Sequence, residues 1–392
     1  MIIKPAYRTE TVSEYYFATK LKEVYRMNQE GKNVLNLGIG SPDLPPHHEV
    51  IDELSQQSRI PHHHGYQSYT GIPELRKAFS EWYKSYFSVS LNPDDEILPL
   101  MGSKEGIMHI SLAFLNPGDG VLIPNPGYPA YRAVANLVGA RVIDYSLRVE
   151  NEWFPDFNEL RKMNLDGVKM MWVNYPNMPT GAKATHELFA KLVDFAWQKN
   201  ILVCNDNPYS FILNKTPLSI LSTESAREVA IELNSLSKSH NMAGWRVGMV
   251  GGKADYLQPV LTVKSNMDSG MFKPVQLASV KALKSSAEWY NSLDAVYEER
   301  LLKAHELFRG LGIITSKNQT GMFLWGRIPA GFATSVEFTD FLLNEFFIFI
   351  TPGNIFGSNG ENFVRLSLCS PVSVYEEAIQ RILEKTVQKR AT

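Results

Sequence analysis

Ile201-Leu202-Val203-Cys204-Asn205-Asp206-Asn207-Pro208-Tyr209 is the stretch on which the reading of the fold turns. Its apolar run is too short for a helix and shows no polar alternation. A turn built on Asp206 and Pro208 closes it. Such a run reads as a strand buried on both faces, which is the habit of parallel sheets. Thr185 to Lys199, just before it, reads as a helix. Helix then buried strand is half of a repeating α/β pattern.

The pattern spreads outward over residues 95 to about 265. Ile97–Leu100 precedes a helix from Lys104, and Gly120–Ile123 precedes one from Tyr128. Val142–Tyr145, Val168–Val173, Val229–Leu233 and Val247–Val250 read as further strands. The fold class that follows is α/β with a mostly parallel central sheet, whose ligands gather at the carboxyl ends of the strands. Outside this block, residues 13 to 30 carry apolar residues at helical spacing, among them Tyr16, Leu21 and Val24. Val34–Leu37 is a short strand that enters the loop Gly38–Asp43, and Pro73–Phe87 is a helix with proline in its first turn. One long, kinked helix is expected from Pro274 to Arg309. Strands at Gly321–Trp325, Ile348–Pro352 and Phe363–Ser367 and a last helix from Val374 complete a smaller α+β domain. The division expected is 46–275 for the large domain, with 1–45 and 276–392 forming the small one.

With 392 residues, 44% of them hydrophobic, the chain can bury a large core and exceeds one typical domain. The net charge of -2 carries no basic stripe, which argues against nucleic acid. No apolar run has the length of a membrane span, and Met1-Ile2-Ile3-Lys4-Pro5 turns polar too soon for a signal peptide. Cys204 and Cys369 are far apart and fit no metal motif, so a reducing cytoplasm is the expected location. His62-His63-His64 lacks ligands at metal spacing and reads as a solvated loop; no metal is expected.

Chemistry concentrates at strand ends. Asn234-Ser235-Leu236-Ser237-Lys238-Ser239 places a lysine among small hydroxyl residues, with Arg246 eight residues on. An amine beside a cradle for an anion is what a Schiff-base lysine needs; the alternative is a lysine at a helix start. Asp206 at its strand end can pair with a protonated pyridine nitrogen, and Tyr209 can bond a phenolic oxygen; the alternative is an ordinary turn. Gly102-Ser103-Lys104 enters a helix, where backbone N–H groups and the helix dipole favour an anion, or where a plain helix start would suffice. Tyr128, in Pro126-Gly127-Tyr128-Pro129, can stack on a flat cofactor or pack in the core. Val173-Asn174-Tyr175-Pro176-Asn177-Met178-Pro179-Thr180-Gly181 is a proline-dense turn in which a cis bond is plausible. Arg365, between Val364 and Leu366, calls for an anion, either a substrate carboxylate or a structural partner.

Taken in order, these motifs, together with Gly71-Ile72-Pro73-Glu74-Leu75-Arg76, resemble the fold type I pyridoxal-phosphate aminotransferases, in the class I/II branch that contains aspartate aminotransferase. The resemblance runs from about residue 13 to the last helix. It implies a three-layer large domain and pyridoxal 5'-phosphate as cofactor. It implies Lys238 as the Schiff-base lysine and proton shuttle, Asp206 at the pyridine nitrogen, Tyr209 at the phenolic oxygen and Tyr128 on the ring. Gly102, Ser103, Lys104 through its backbone, Ser235, Ser237 and Arg246 would surround the phosphate. Tyr66 would reach the partner subunit's cofactor in a homodimer with shared sites. Arg365, helped by Gly40, would bind the substrate α-carboxylate. The family's usual Asn-Pro-Thr-Gly departs here: Met178 holds the asparagine's place, and Asn177, one residue earlier, is the other candidate for the asparagine's contact with the cofactor.

The activity implied is transfer of an amino group from an L-amino acid to a 2-oxo acid, with 2-oxoglutarate the expected acceptor, in a ping-pong cycle. The alternative enzyme is a lyase acting on a cysteine conjugate or another β-substituted amino acid. A non-catalytic, DNA-linked regulator is disfavoured by the charge and by how early the pattern begins. Ser13-Glu14-Tyr15-Tyr16-Phe17 and Leu37–Asp43 look like a branch that includes aromatic and diaminopimelate aminotransferases. No arginine in Lys264–Lys273 is available for a side-chain carboxylate, so aromatic or neutral donors are favoured over aspartate. Tyr15, Tyr16 and Phe17 are candidates for the pocket wall or for packing of their helix onto its own domain, and Met178 for an apolar contact at the cofactor or substrate edge.

Overall fold

The computed structural model describes residues 3–12, 16–316 and 318–391. The first strand, β1 (Leu35–Asn36), is followed by seven that form one sheet. These are β2 (Ile97–Leu100), β3 (Gly120–Asn125), β4 (Arg141–Ser146), β5 (Val168–Val173), β6 (Leu202–Asp206), β7 (Ala230–Ser235) and β8 (Gly248–Gly251). Their spatial order is β2-β8-β7-β6-β5-β3-β4. Six run parallel and β8 runs against its two neighbours. The reason is local. Residues 236–247 join β7 to β8 and hold only the one-turn helices Leu236–Ser239 and Ala243–Trp245, without the full helix a parallel crossover usually carries. The chain therefore turns straight back, and Ser235 pairs with Gly248.

Burial follows the strand order. Every residue of β6 and β7 is buried, while β4 at one edge is only partly buried. Pro99, which donates no ladder hydrogen bond, sits in β2 at the other edge, where a strand tolerates it. Helix Pro73–Phe87 begins on its proline, and helix His186–Lys199 is capped by Thr185, whose hydroxyl accepts from Leu188 N–H at 3.0 Å. Apolar clusters pack on both faces of the sheet, giving it helical cover on each side.

After the large sheet come β9 (Ile314–Thr315), β10 (Phe323–Arg327), β11 (Ile348–Phe349), β12 (Thr351–Pro352) and β13 (Phe363–Ser367). Four of them form an antiparallel sheet in the order β12-β13-β10-β9, and β11 pairs in parallel with β1. The single strand expected over Ile348–Pro352 is thus two, switching partners at Ile350. The long helix expected from Pro274 to Arg309 is also two, Lys273–Leu283 and Ala287–Gly310. Its break falls at Lys284-Ser285-Ser286, where Ser286 is extended. Serine competes for backbone hydrogen bonds and favours a helix start over a helix interior. The helix expected over 13–30 spans Tyr16–Gln29, and Tyr15 lies outside the described residues. Ser367 N–H donates to Leu37 O at 2.8 Å, so the loop after β1 is stitched to β13. That loop runs over the ends of the large sheet.

Candidate active site

A cavity of about 670 Å³ opens where the carboxyl ends of β2, β3, β5, β6 and β7 meet the start of β8. The two sheets and the N-terminal helix share its wall. Asp206 ends β6 and faces the cavity, fully desolvated. Tyr131, one turn beyond Tyr128 on its helix, donates to Asp206 Oδ2 at 2.9 Å. Asp206 Oδ1 has no hydrogen-bond partner among the described residues. Burial raises this carboxyl to about 7, against the pull of the Tyr131 and Ser103 hydroxyls.

Ser235 ends β7 and caps the one-turn helix Leu236–Ser239, its Oγ accepting from Ser237 N–H at 3.1 Å. Lys238 rises from that turn, and its Nζ donates to Gly40 O at 2.8 Å. Burial lowers Lys238 to about 8, with Arg365 and Arg246 adding to the fall. The amine is thereby brought near the neutral form that attacks a carbonyl. Arg246 holds a left-handed backbone at φ 58°, and its Nη1 donates to Ala243 O at 2.9 Å and reaches Ser237 Oγ at 3.5 Å. A Cβ at Gly102, where φ is +84°, would stand 2.2 Å from Arg246 Nη2, so only glycine admits the guanidinium there. Ser103 and Lys104 open the helix Ser103–Phe114 beside them. Hydroxyls, a guanidinium and a helix N-terminus converge on one end of the cavity, which suits a phosphate dianion.

Arg365 stands at the other end, buried in β13. Its Nη2 donates to Gly38 O at 2.9 Å and its Nη1 to Met178 Sδ at 3.3 Å. The guanidinium lies 4.0 Å from the Phe323 ring centroid, 4.8 Å from that of Phe356 and 5.5 Å from that of Phe17. Tyr209 and Tyr128 line the space between the two ends. Burial pushes the Tyr209 phenol up, although Arg365 pulls it down.

Four expected site residues are not on the cavity wall, the first being Gly102, which packs against Arg246. Asn177 is buried but turned into its own loop, where its Oδ1 accepts from Thr180 Oγ1 at 2.7 Å and its Nδ2 donates to Asn174 O at 3.1 Å. Met178 occupies the cavity wall instead, because neighbouring side chains on an extended segment diverge. Both the Tyr175–Pro176 and Met178–Pro179 bonds of this turn are cis. Tyr16 packs towards Lys20 and Asp340, and the next helical position, Phe17, meets the cavity. Tyr66 is 92% exposed and lies outside the cavity of this chain.

Sequence reasoning missed Tyr131 and Asn174. Asn174 donates to Asp206 O and accepts from Met178 N–H at 2.7 Å, so it ties the turn to the carboxylate strand. Tyr131 had a signal, since it lies on the same helix face as Tyr128. Ile39, Phe323 and Phe356 carried none. Elsewhere, among the described residues, Glu105, His109 and Asp268 bring metal-type ligand atoms within 4.8 Å of one another. The buried Lys264 ammonium pairs with Asp268 there and supplies positive charge to the group.

The site fits pyridoxal phosphate on its own chemistry. An unsatisfied, buried Asp206 oxygen suits a ring N–H, a glycine-floored cradle suits a phosphate, and an amine of lowered proton affinity stands between them. Such a fold and site define the pyridoxal-phosphate-dependent transaminases. The chain belongs to the aminotransferase class I and II family, whose model matches residues 32–382. It is 40% identical to an LL-diaminopimelate aminotransferase of Dehalococcoides mccartyi, over 97% of this chain and 98% of that protein. Its structure is similar to substrate-bound BacF of Bacillus subtilis, with TM-score 0.93, 34% identity and 98% of each chain covered. It is also similar to the aromatic aminotransferase of Pyrococcus horikoshii, with TM-score 0.88, 27% identity and 98% of each chain covered. The enzyme is an aminotransferase that uses pyridoxal phosphate. Among the described residues, no helix is long and apolar enough to cross a membrane.

Proposed function

We propose that this aminotransferase takes its amino group from an L-amino acid with a neutral, apolar or aromatic side chain and passes it to a 2-oxo acid, with 2-oxoglutarate the expected acceptor. The wall of the cavity carries this reading. Phe17, Phe323 and Phe356 surround Arg365, Leu21 and Ile39 add to the apolar lining, and Asp206 is the one carboxylate among the described lining residues. An apolar wall rewards an apolar side chain and penalises an unpaired charge. A second reading, a diaminopimelate donor, is favoured by the name of the 40% identical relative. A panel of phenylalanine, tyrosine, leucine, aspartate and LL-diaminopimelate against 2-oxoglutarate separates them. A kcat/KM for LL-diaminopimelate above that for every neutral donor would overturn the first reading. Pyruvate release without added oxo acid would instead favour the lyase alternative, which the relatives do not support.

The bound cofactor supplies an electron sink and the carbonyl that takes the amino group. In this reading Lys238 captures the cofactor and moves a proton at the substrate α-carbon. Asp206 keeps the ring nitrogen protonated, and Tyr209 donates to the ring oxygen. Ser103, the Lys104 backbone, Ser235, Ser237 and Arg246 hold the phosphate. Arg365 orients the α-carboxylate, and its aromatic surroundings exclude water. Gly40 is supported as a close wall: a Cβ there would meet Phe323 at 2.2 Å.

The same reading divides the chain into 46–275 and 1–45 with 276–392; the pairing of β1 with β11 supports joining the N-terminal segment to the C-terminal part. It places the enzyme in the cytoplasm as a homodimer in which exposed Tyr66 serves the neighbouring site. Mixing inactive Lys238→Ala with an inactive Tyr66 variant should restore activity in hybrid dimers. A fully active monomer would rule out shared sites.

A further inference from the structure

Behind the cavity lies a second buried carboxylate that the reading above leaves unused. Glu232 is the third residue of β7 and wholly buried. It pairs in register with Asn205, the residue before Asp206. Side chains alternate along a strand. Asp206 therefore meets the cavity, while Asn205 and Glu232 meet the face covered by helix Pro73–Phe87. An isolated buried carboxylate is costly, so its retention needs several donors.

Among the described residues Glu232 draws on Tyr83, Asn205, Ile220 and Ser219 as donors, and the first three form two arms. Tyr83 Oη donates to Oε1 at 3.0 Å. Asn234 Nδ2 donates to that same Tyr83 oxygen at 3.3 Å, and Asn234 Oδ1 accepts from Ser235 N–H at 2.8 Å. This first arm ends on the serine that caps the Lys238 turn. On the other side, Asn205 Nδ2 donates to Oε2 at 2.8 Å, joined there by Ile220 N–H at 3.0 Å. Asn205 Oδ1 accepts from Tyr175 N–H at 3.3 Å, so this second arm reaches the turn that carries Met178.

We propose that Glu232 is a positioning residue whose two oxygens align the Ser235–Lys238 cradle and the Asp206–Met178 wall with one another for the cofactor. The inference rests on the cofactor-site reading above. Only an acceptor at both ends fits, because every group that faces Glu232 in these bonds donates. A glutamine would present N–H to one arm. Facing Tyr83, that amide forces the phenol to accept and leaves its own proton without Glu232, which disturbs the arm to Ser235. The titratable groups around Glu232 are Tyr83 on helix Pro73–Phe87 and, on β6, Asp206, which faces Tyr131 and Ser103. Burial pushes Glu232 up, against hydrogen bonds from Asn205, Ser219, Ile220 and Tyr83. Its charge in turn helps to raise Asp206.

The test compares Glu232→Gln, Tyr83→Phe and Glu232→Asp with the unaltered protein. It measures pyridoxal phosphate affinity, the pH midpoint of the bound cofactor's absorbance, and Tm. Glu232→Gln should weaken affinity by about tenfold, as expected for loss of a charge-assisted hydrogen bond. It should also move the midpoint to lower pH, because a negative charge behind the ring has gone. Tyr83→Phe should weaken affinity but hold the midpoint, since the carboxylate stays. Glu232→Asp should return the midpoint towards the unaltered value. A Glu232→Gln protein with unchanged affinity and midpoint, whatever its Tm, overturns the proposal. Should that variant fail to fold, unchanged affinity in Tyr83→Phe overturns the Ser235 arm. If the cofactor-site reading itself were wrong, Lys238→Ala would leave the absorbance unchanged, an outcome distinct from all of these.

Discussion

At its polar end the cavity is walled by Ser103, Lys104, Ser235, Ser237 and Arg246, with Gly102 packed against Arg246; at its apolar end by Phe17, Phe323, Phe356 and Arg365. The first set lies in short segments on the large sheet, each following or preceding a strand. Two of those segments, around Lys238 and Arg246, belong to one tight connection between β7 and β8. The second set comes from the N-terminal helix, from β10 and β13, and from the connection between β12 and β13 that carries Phe356, with Phe17 far from the other three in sequence. The polar end is held by hydrogen bonds that need particular residue types. The apolar end is held by packing, which many residues could supply. The contrast suggests that cofactor chemistry is set by the first region and donor choice by the second.

The largest effect expected is at the junction of the two. Lys238→Ala should lower kcat by roughly 10³-fold or more, as removal of a covalent catalyst does. It should leave pyridoxal phosphate bound through the cradle, without the yellow lysine adduct. Normal turnover by that protein would break the assignment. The proton on Lys238 gives a related pH test. Because burial lowers this amine to about 8, the cofactor-free protein should capture pyridoxal phosphate faster as pH rises towards 8 and then level off. A rate still climbing at pH 10 would mean an ordinary surface amine.

Asp206→Asn comes next, with kcat down by about 10²- to 10³-fold and little change in fold, since electrostatic stabilisation in a dry site is worth that much. Near-native kcat would reduce Asp206 to a turn residue. Arg365→Lys tests the apolar end. It should raise KM for amino acids by about 10- to 100-fold, because one ammonium replaces a two-pronged guanidinium, while cofactor affinity stays unchanged. A parallel loss of cofactor affinity would show that the two ends are not separable.

The smallest effects concern the turn between them. Tyr209→Phe should reduce activity more than Asn177→Ala, since Tyr209 lines the cavity and Asn177 closes its own loop. Asn177→Ala should show mainly as a lower Tm, by the ~1 kcal/mol that a neutral hydrogen bond contributes. Met178→Asn should alter donor preference by only about fivefold, the scale of one such bond. The reverse order for Tyr209 and Asn177 would mean that Asn177 reaches the cofactor in the working enzyme.

Much of this molecule could be read from its residues in order. The buried run Ile201–Asn205, the proline-started helix at Pro73 and the Thr185 cap each declare a local structure, because burial, proline geometry and capping act within a few residues. The Lys238 stretch, Asp206 and Gly102–Lys104 declare chemistry for the same reason: each is a strand end with its donors close in sequence. Local rules also failed in local ways. Ser285-Ser286 broke a helix that apolar spacing had made continuous, and Ile350 switched a strand between sheets. Tertiary structure alone decided the rest. It set Met178 rather than Asn177 on the wall, and it turned Tyr16 away and Phe17 in. It surrounded Arg365 with Phe17, Phe323 and Phe356, and it joined Glu232 to Tyr83 across 149 residues. Those contacts depend on which surfaces meet after the sheet has formed, and apolar packing leaves no spacing rule in the sequence by which to find them.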